Sequence, residues 1–551
     1  MNKGGNTVKK FLVFLMTVFA VFVLVGCTAT KDAGKEPNDE EGKDAKESTE
    51  KILKLNNGTE PKSLDPSIGF DAVSWDPLNN LMEGLTRLNK DHVAEPATAE
   101  KIDVSEDGKT YTFTIREDAK WSNGDPVVAK DFEFAWKYML DPANASEAAF
   151  LGYFIEGAEA FNNGEGKADD VKVTAKDDKT LEVVLTAPTG FFPDLLTNPA
   201  FFPINHKVAA ETPDWHAEAD TFVSNGPFKL ESWDHDVEMV FAKNDQYWDK
   251  GAVKLDKVHF AMVNDSNTQY QMFESGDLDT ASIPAELSDQ LIDGENVFIG
   301  DYGGLEFYRF NVKEEPFQNK KIRKAFAYAV NRENIAEYVV KNGVEPAFGF
   351  VSPGFKGPDG KDFREKNGDL VTFDAEKAKQ LLEEGMKEEG YEKLPPITLS
   401  YNTSDTNKAV AEELQNMYKE TLGVEVSLEN QEWNVFSEAQ KALELQFSRS
   451  SFINDYSDPI NFLESFITDS YMNRTGFSSK AYDELIAKGK TESDEEKRWE
   501  YMYEAEKMLA EEMIIMPIRY YNTVVLEAEG VSGILRHPVG YFDLKYADKQ
   551  N

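Results

Sequence analysis

From Ile52 to Leu526 short β-prone runs alternate with helix-periodic stretches, and no segment of the chain repeats another. That mixture excludes solenoids and propellers and implies α/β lobes, in which helices cover the faces of sheets. At 551 residues the chain is too long for one ordinary core, so two or three lobes are expected. With 41% hydrophobic residues it can fill them.

In order, the spacing predicts a strand at Ile52 and a helix from Trp75 to Leu85. A hairpin turns at Asp107-Gly108, a second turn spans Trp121 to Pro126, and a helix runs from Ala129 to Leu140. Val171 to Leu185 reads as a hairpin, Gly226-Pro227 opens a strand pair, Leu255 to Val263 is a strand and Ser266 to Glu274 a helix. Phe307 to Val312 is extended, and Ile322 to Val340 is helical but punctuated at Asn331. Asp374 caps a helix to Lys387, Ile397 to Tyr401 is a strand, and Thr406 to Leu422 is a helix closed by Gly423. Val424 to Leu428 is a strand. One long charged helix covers Lys480 to Glu512 and stops before Pro517, after which Ile518 to Leu526 is the last strand. Asp103, Ser105, Asp107 and Gly108 imitate the start of a calcium loop, but its twelfth position is Thr114, where a bidentate Glu belongs. A hairpin turn accounts for them better.

The amino terminus reads as an export signal. Lys9 and Lys10 precede Phe11 to Val25, in which only Thr17 is polar, too short a run for a comfortable membrane span. It ends in Leu24-Val25-Gly26-Cys27, which resembles the bacterial lipobox, whose Cys receives a lipid before cleavage. Residues 1–26 are therefore expected to be a lipoprotein signal peptide and Cys27 the lipidated residue. Cys27 is the only cysteine, so no disulfide can form within the mature chain. Acyl chains would tether the protein to the outer, extracellular face of a cell membrane, with a single-membrane (Gram-positive) bacterium as the expected source. Residues 27–50 carry eight Asp/Glu and four Lys and nothing aliphatic larger than Ala after Cys27, the composition of a disordered linker.

The net charge is −41, and cleavage before Cys27 also removes Lys3, Lys9 and Lys10. Nucleic acid is excluded as a partner, because there is no net positive field to displace phosphate counterions. Six scattered histidines form no HExxH or close pair, and there is no nucleophile elbow or phosphate loop. No metal, cofactor or catalytic residue is expected from these motifs, while a Ser/His/Asp triad assembled from distant segments and a paired-carboxylate glycosidase stay open at this point. Trp75, Trp121, Trp136, Trp233, Trp248 and Trp433 are open to two readings, core or a cleft that accepts varied side chains.

The most informative stretch is Phe447 to Leu463. A β-prone run through Phe452 and Ile453 meets turn chemistry at Asn454, Asp455, Ser457, Asp458 and Pro459, which puts the Asp455 carboxylate at the end of a strand. Such a group either caps a turn or accepts a ligand's ammonium while the strand pairs with the ligand's backbone.

Several stretches together resemble the solute-binding proteins of ATP-driven oligopeptide and dipeptide importers. They are Glu83 to Thr86, residues 107–137, NGPFKLESW (225–233) with NDQYWD (244–249), IRKAFAYAVNRENI (322–335), YNTSD (401–405) with NQEWNVF (430–436), and FINDYSDPINFL (452–463). The resemblance implies a two-lobed type II periplasmic-binding-protein fold with an extra inserted domain, three domains in all. Lobe I would comprise 51–84, 205–308 and 520–551, the inserted domain 85–204, and lobe III 309–519. It also implies that Asp455 holds a peptide α-ammonium, that Ser451, Phe452 and Ile453 pair with the peptide backbone, and that Ala72 and Val73 add pairing from the facing lobe. Arg449, six residues before Asp455, would meet the carboxylate of short peptides, with Trp433 and Asn407 also in the site. Asn407 stands where some relatives carry a His that serves longer peptides. The resemblance implies a monomeric binding protein rather than an enzyme, whose partners are short peptides, murein peptides among them, and the membrane permease of an ABC importer. Two alternatives stay open from sequence: a peptide-sensing lipoprotein without a transport role, and an exported hydrolase.

Overall fold

The computed structural model describes residues 50–468, 470 and 472–550. The expected signal peptide, Cys27 and nearly all of the linker lie outside the described residues. Strand Ile52–Asn56 (β1) turns Leu53 and Leu55 inward, and Asp71 caps helix Ala72–Leu81 (α1) by accepting the Ser74 N–H at 2.8 Å. This helix begins and ends a turn earlier than the periodicity predicts. The Asp71 cap fixes its start, and Met82 leaves it in extended geometry.

Ala99–Val104 (β2) and Thr110–Ile115 (β3) form the expected antiparallel hairpin. Ser105 donates to Asp107 inside the turn, and Gly108 takes a φ of +69° there. The calcium-like spacing is thus a hairpin turn. Helix Ala129–Leu140 (α2) and the pair Val173–Ala175 (β4) and Thr180–Val184 (β5) follow as expected, completing a sheet ordered β2-β3-β5-β4. Phe228–Asp234 (β6), Glu238–Lys243 (β7) and Lys257–Ala261 (β8) join β1 in the order β1-β8-β7-β6, with only β1 and β8 parallel.

The third sheet holds the candidate site. It is built from Thr280–Ser282 (β9), Val297–Phe310 (β10), Ile397–Asn402 (β11), Val426–Gln431 (β12), Phe447–Ile453 (β13) and Ile515–Glu527 (β14), ordered β9-β14-β10-β13-β11-β12. Its core is aromatic: Phe310 and Phe447 stack with centroids 4.7 Å apart, and Phe326 and Tyr418 close over them.

Two expectations are corrected in this region. The long charged helix is two helices, Lys480–Thr491 and Glu495–Glu512, because Asp494 accepts the Lys497 N–H and starts a second one. Pro517 does not precede the last strand but lies within it. The ladder shifts register between Glu306 and Phe307, and that bulge accommodates a residue with no N–H to give.

Candidate functional site

Asp455 follows β13 directly, in the turn the sequence places there. Its carboxyl group lines a cavity of about 660 Å³. One wall comes from Phe150, Tyr153 and Phe154, the other from Phe452, Tyr456 and Met472. The Asp455 N–H donates to Asn461 Oδ1 at 2.7 Å, and Asn461 Nδ2 approaches Asp455 Oδ2 at 3.4 Å. Asn198 Nδ2 donates to the Asp455 carbonyl at 2.8 Å. No basic side chain among the described residues forms an ion pair with it. Burial pushes its carboxyl up to about 7; the Asn461 contact works against this and the Glu464 charge adds to it. A cation entering the cavity would meet an acid with no ion-pair partner among the described residues.

The backbone beside it is open on one side. β13 pairs antiparallel with β10 from Gly304–Ile453 to Phe310–Phe447, and Asn454 N–H donates to Gly303 O at 2.8 Å. Alternation along the ladder then turns the N–H and C=O groups of residues 450, 452 and 454 toward β10, and those of 449, 451 and 453 away from it. On that far side β11 pairs only at Leu399–Phe447 and Ser400–Ser448 and then diverges. Arg449 O is taken by Gln440 Nε2 at 2.8 Å, whereas Ser451 and Ile453 have no strand partner on that side among the described residues. This is a short sheet edge that ends at an unpaired acid.

Arg449 stands at the other end of that edge. Its Nε reaches Glu306 Oε1 at 3.3 Å, its Nη2 donates to Tyr521 OH at 2.9 Å, and its Nη1 lies 3.5 Å from Asn402 Oδ1. Arg519 Nε holds the other Glu306 oxygen at 2.7 Å. Burial opposes the charge on Glu306, yet Arg519 and Arg449 together hold its carboxyl below the usual range. Two guanidinium groups around one fully buried carboxylate leave a positive surplus. Asn407 Nδ2 donates to Asn402 O at 3.0 Å, so Asn407 joins Arg449 through Asn402.

Ala72 and Val73 are the first residues of α1 rather than a strand. What they present is the N–H groups of a first helical turn, which have no partner within the helix. Phe70, just before them, packs edge-on against the cavity residue Phe150, centroids 5.9 Å apart. Trp433 opens helix Trp433–Lys441 and is 51% exposed, while Trp75, Trp121 and Trp136 are buried. Core is therefore the answer for those three and not for Trp433. Sequence reasoning missed Glu306, Asn198, Phe191 and Tyr456. An acid inside the aromatic run Leu305 to Phe310 was the one available signal, since a charge in a buried strand needs partners.

An open strand edge running into an acid with no ion-pair partner can take a ligand's backbone and a cation, and the family match gives the class, an extracellular solute-binding protein. The model of the bacterial extracellular solute-binding proteins, family 5, matches residues 93–474, and the chain belongs to that family. It is 62% identical over 528 residues to the dipeptide-binding protein DppE of Bacillus subtilis, covering 96% of this chain and 97% of that protein. It is 41% identical over 545 residues to the oligopeptide-binding protein OppA of the same species, covering 97% and 98%. The solved structure of Listeria monocytogenes OppA bound to peptide superposes with a TM-score of 0.76 at 30% identity, over 92% of this chain and 100% of that one. The fold is the multidomain type II periplasmic-binding fold that the sequence leads one to expect.

Proposed function

We propose that this protein captures short peptides outside the cell and delivers them to the permease of an ABC importer. The observation that carries the reading is the open edge at Ser451 and Ile453 running into Asp455, which lines a cavity and lacks a cation. Main-chain pairing at the edge gives affinity without regard to side chain, as in strand addition. The peptide's α-ammonium supplies the charge that Asp455 lacks. Its carboxylate meets the positive surplus at Arg449, to which Asn407 is joined through Asn402, and in this reading Trp433 and the first-turn N–H groups of Ala72 and Val73 complete the site. The names of the relatives, dipeptide-binding and oligopeptide-binding, support peptide as the ligand class.

In this reading residues 51–84, 205–308 and 520–551 form one lobe, 85–204 an inserted domain and 309–519 the second large lobe, and closure about the peptide makes both sets of contacts at once. Capture involves no chemistry on the peptide, so a tripeptide incubated with the protein is recovered intact. Cys27 carries the lipid that holds the protein at the outer face of the membrane.

The test is calorimetry with a free-amine tripeptide and its N-acetyl form. Losing one partner of an enclosed charge pair costs about 3–5 kcal/mol, so acetylation is expected to weaken binding by a few hundredfold or more. Asp455→Ala is expected to erase most of that difference. Equal affinities of the two forms for the unaltered protein would sink the proposal.

A further inference from the structure

A second cavity, of about 330 Å³, is bordered by α1 through Asp76. Asp76, Tyr302, Thr523, Ser282 and Arg536 line it. Side-chain contacts and the spacing along α1 relate it to the Arg449 end of the edge. Arg449 donates to Tyr521 OH at 2.9 Å, and Tyr521 packs edge-on against Tyr302, centroids 6.4 Å apart. Along α1, one turn separates Ala72 from Asp76. A peptide anchored at Asp455 and running back past Arg449 would meet Tyr521, whose neighbour Tyr302 lines this chamber.

The charges there are unequal. Arg536 is committed: its Nη1 pairs with Glu527 Oε1 and its guanidinium lies over the Phe298 ring, 4.7 Å from the centroid. His537 also borders the chamber, and burial, with His92 and Arg87 nearby, pushes its imidazole down to about 3, so it is neutral. Asp76 Oδ1 accepts the Phe542 N–H at 3.0 Å, and among the described residues no Lys or Arg forms an ion pair with it. Beside the Arg536–Glu527 pair, the Asp76 carboxyl has no ion-pair partner among the described residues. Burial pushes that carboxyl up to about 8, against the Phe542 N–H and the Arg536 charge, so it holds its proton near neutral pH until a cation arrives to draw it off.

We propose that this chamber is a second recognition site, in which Asp76 takes a cationic group, an ammonium or guanidinium, carried by a peptide residue beyond the end held at Asp455. This rests on the peptide reading above. Tyr302 OH and the Ser282 and Thr523 hydroxyls provide polar walls for the group's remaining protons, and the ring of Tyr302 covers the aliphatic stem.

The test uses di- to pentaalanine, each with alanine replaced by lysine or by uncharged norleucine at one position, titrated into the unaltered protein and Asp76→Asn. That variant keeps the oxygen that accepts the Phe542 N–H, and its binding of the alanine peptides reports that it is folded. Lysine at one position is expected to bind at least tenfold tighter than alanine or norleucine there. Asp76→Asn is expected to remove that gain and leave the alanine peptides unchanged. A gain that persists in Asp76→Asn, norleucine matching lysine, or no position with a gain would each overturn the chamber while leaving the peptide reading intact. Failure of every alanine peptide to bind the unaltered protein would instead overturn the peptide reading, and the chamber with it.

Discussion

Asn198 and Asp455 are 257 residues apart in the chain, and the side-chain amide of the first donates a 2.8 Å hydrogen bond to the carbonyl oxygen of the second. The bond fixes the peptide unit that leaves Asp455 while its carboxyl group faces the cavity. Next to it Phe191 stacks on Tyr456, centroids 5.4 Å apart and planes 4° from parallel, with the Arg498 guanidinium 4.9 Å from the Phe191 ring. The segment around 191–198 thus grips the turn that presents the acid.

Binding should release protons near neutral pH. The free Asp455 carboxyl sits near 7, and an arriving ammonium drives it to ionise. Between pH 5 and 7 calorimetry in two buffers of different ionisation heat is expected to show proton release, falling off above pH 8 and absent in Asp455→Asn. Because the folded value is raised from 3.8, the acid favours the ligand-free fold at low pH, and that contribution is lost as pH rises toward 7. Asp455→Asn should therefore flatten part of the pH dependence of ligand-free stability across that window.

Glu306→Gln should destabilise the fold by about 3–5 kcal/mol, because it leaves the Arg449 and Arg519 charges buried without their counter-ion. Urea unfolding at pH 7 measures it. The Glu306 carboxyl is held low, so its contribution is present above the ordinary carboxylate range and is lost on acidification below it. The difference between variant and parent should accordingly shrink as the pH falls.

Phe191→Ala should cost about 3–5 kcal/mol, the range for removing a buried Phe, since the ring is 3% exposed and covered by Tyr456 and Arg498. Thermal unfolding reads the loss. Peptide affinity should fall as well, because the turn carrying Asp455 loses one of its supports.

Gly303→Ala tests the turn from its other side. A Cβ at Gly303 would lie 2.1 Å from Asn454 Oδ1 and 2.7 Å from Pro538 O, so Asn454 must move. Asn454 Nδ2 bonds Tyr456 O at 3.0 Å and so spans Asp455. A drop in peptide affinity is expected from a residue that lines neither cavity. Calorimetry showing unchanged affinity would mean that the turn tolerates the shift.

Local chemistry made most strands and caps legible before any coordinates. Asp374 and Asn331 cap the helices they were expected to cap, and α2 begins and ends where its periodicity does. The break between the two late helices was hidden because Glu492, Ser493 and Asp494 are as polar as the surface around them, so periodicity carried no discontinuity. Asp455 was legible as an acid at a strand end. Its lack of a cation was not, because that depends on Asn198, Asn461 and Glu464, which only the folded chain assembles around it. Exposure of Trp433 was likewise unreadable, since a tryptophan in a helix has the same local pattern whether it faces a core or a cleft.

An unsaturated β margin usually invites a second molecule to add its own strand, and proteins blunt such margins to stay in solution. Along β13, among the described residues, Ser451 and Ile453 alone offer free groups on this side, between a side-chain amide that occupies Arg449 O and a sharp turn that ends the ladder. A segment that short is too brief to template a neighbour's strand, so this seam can stay open to small visitors without offering a docking edge to another copy.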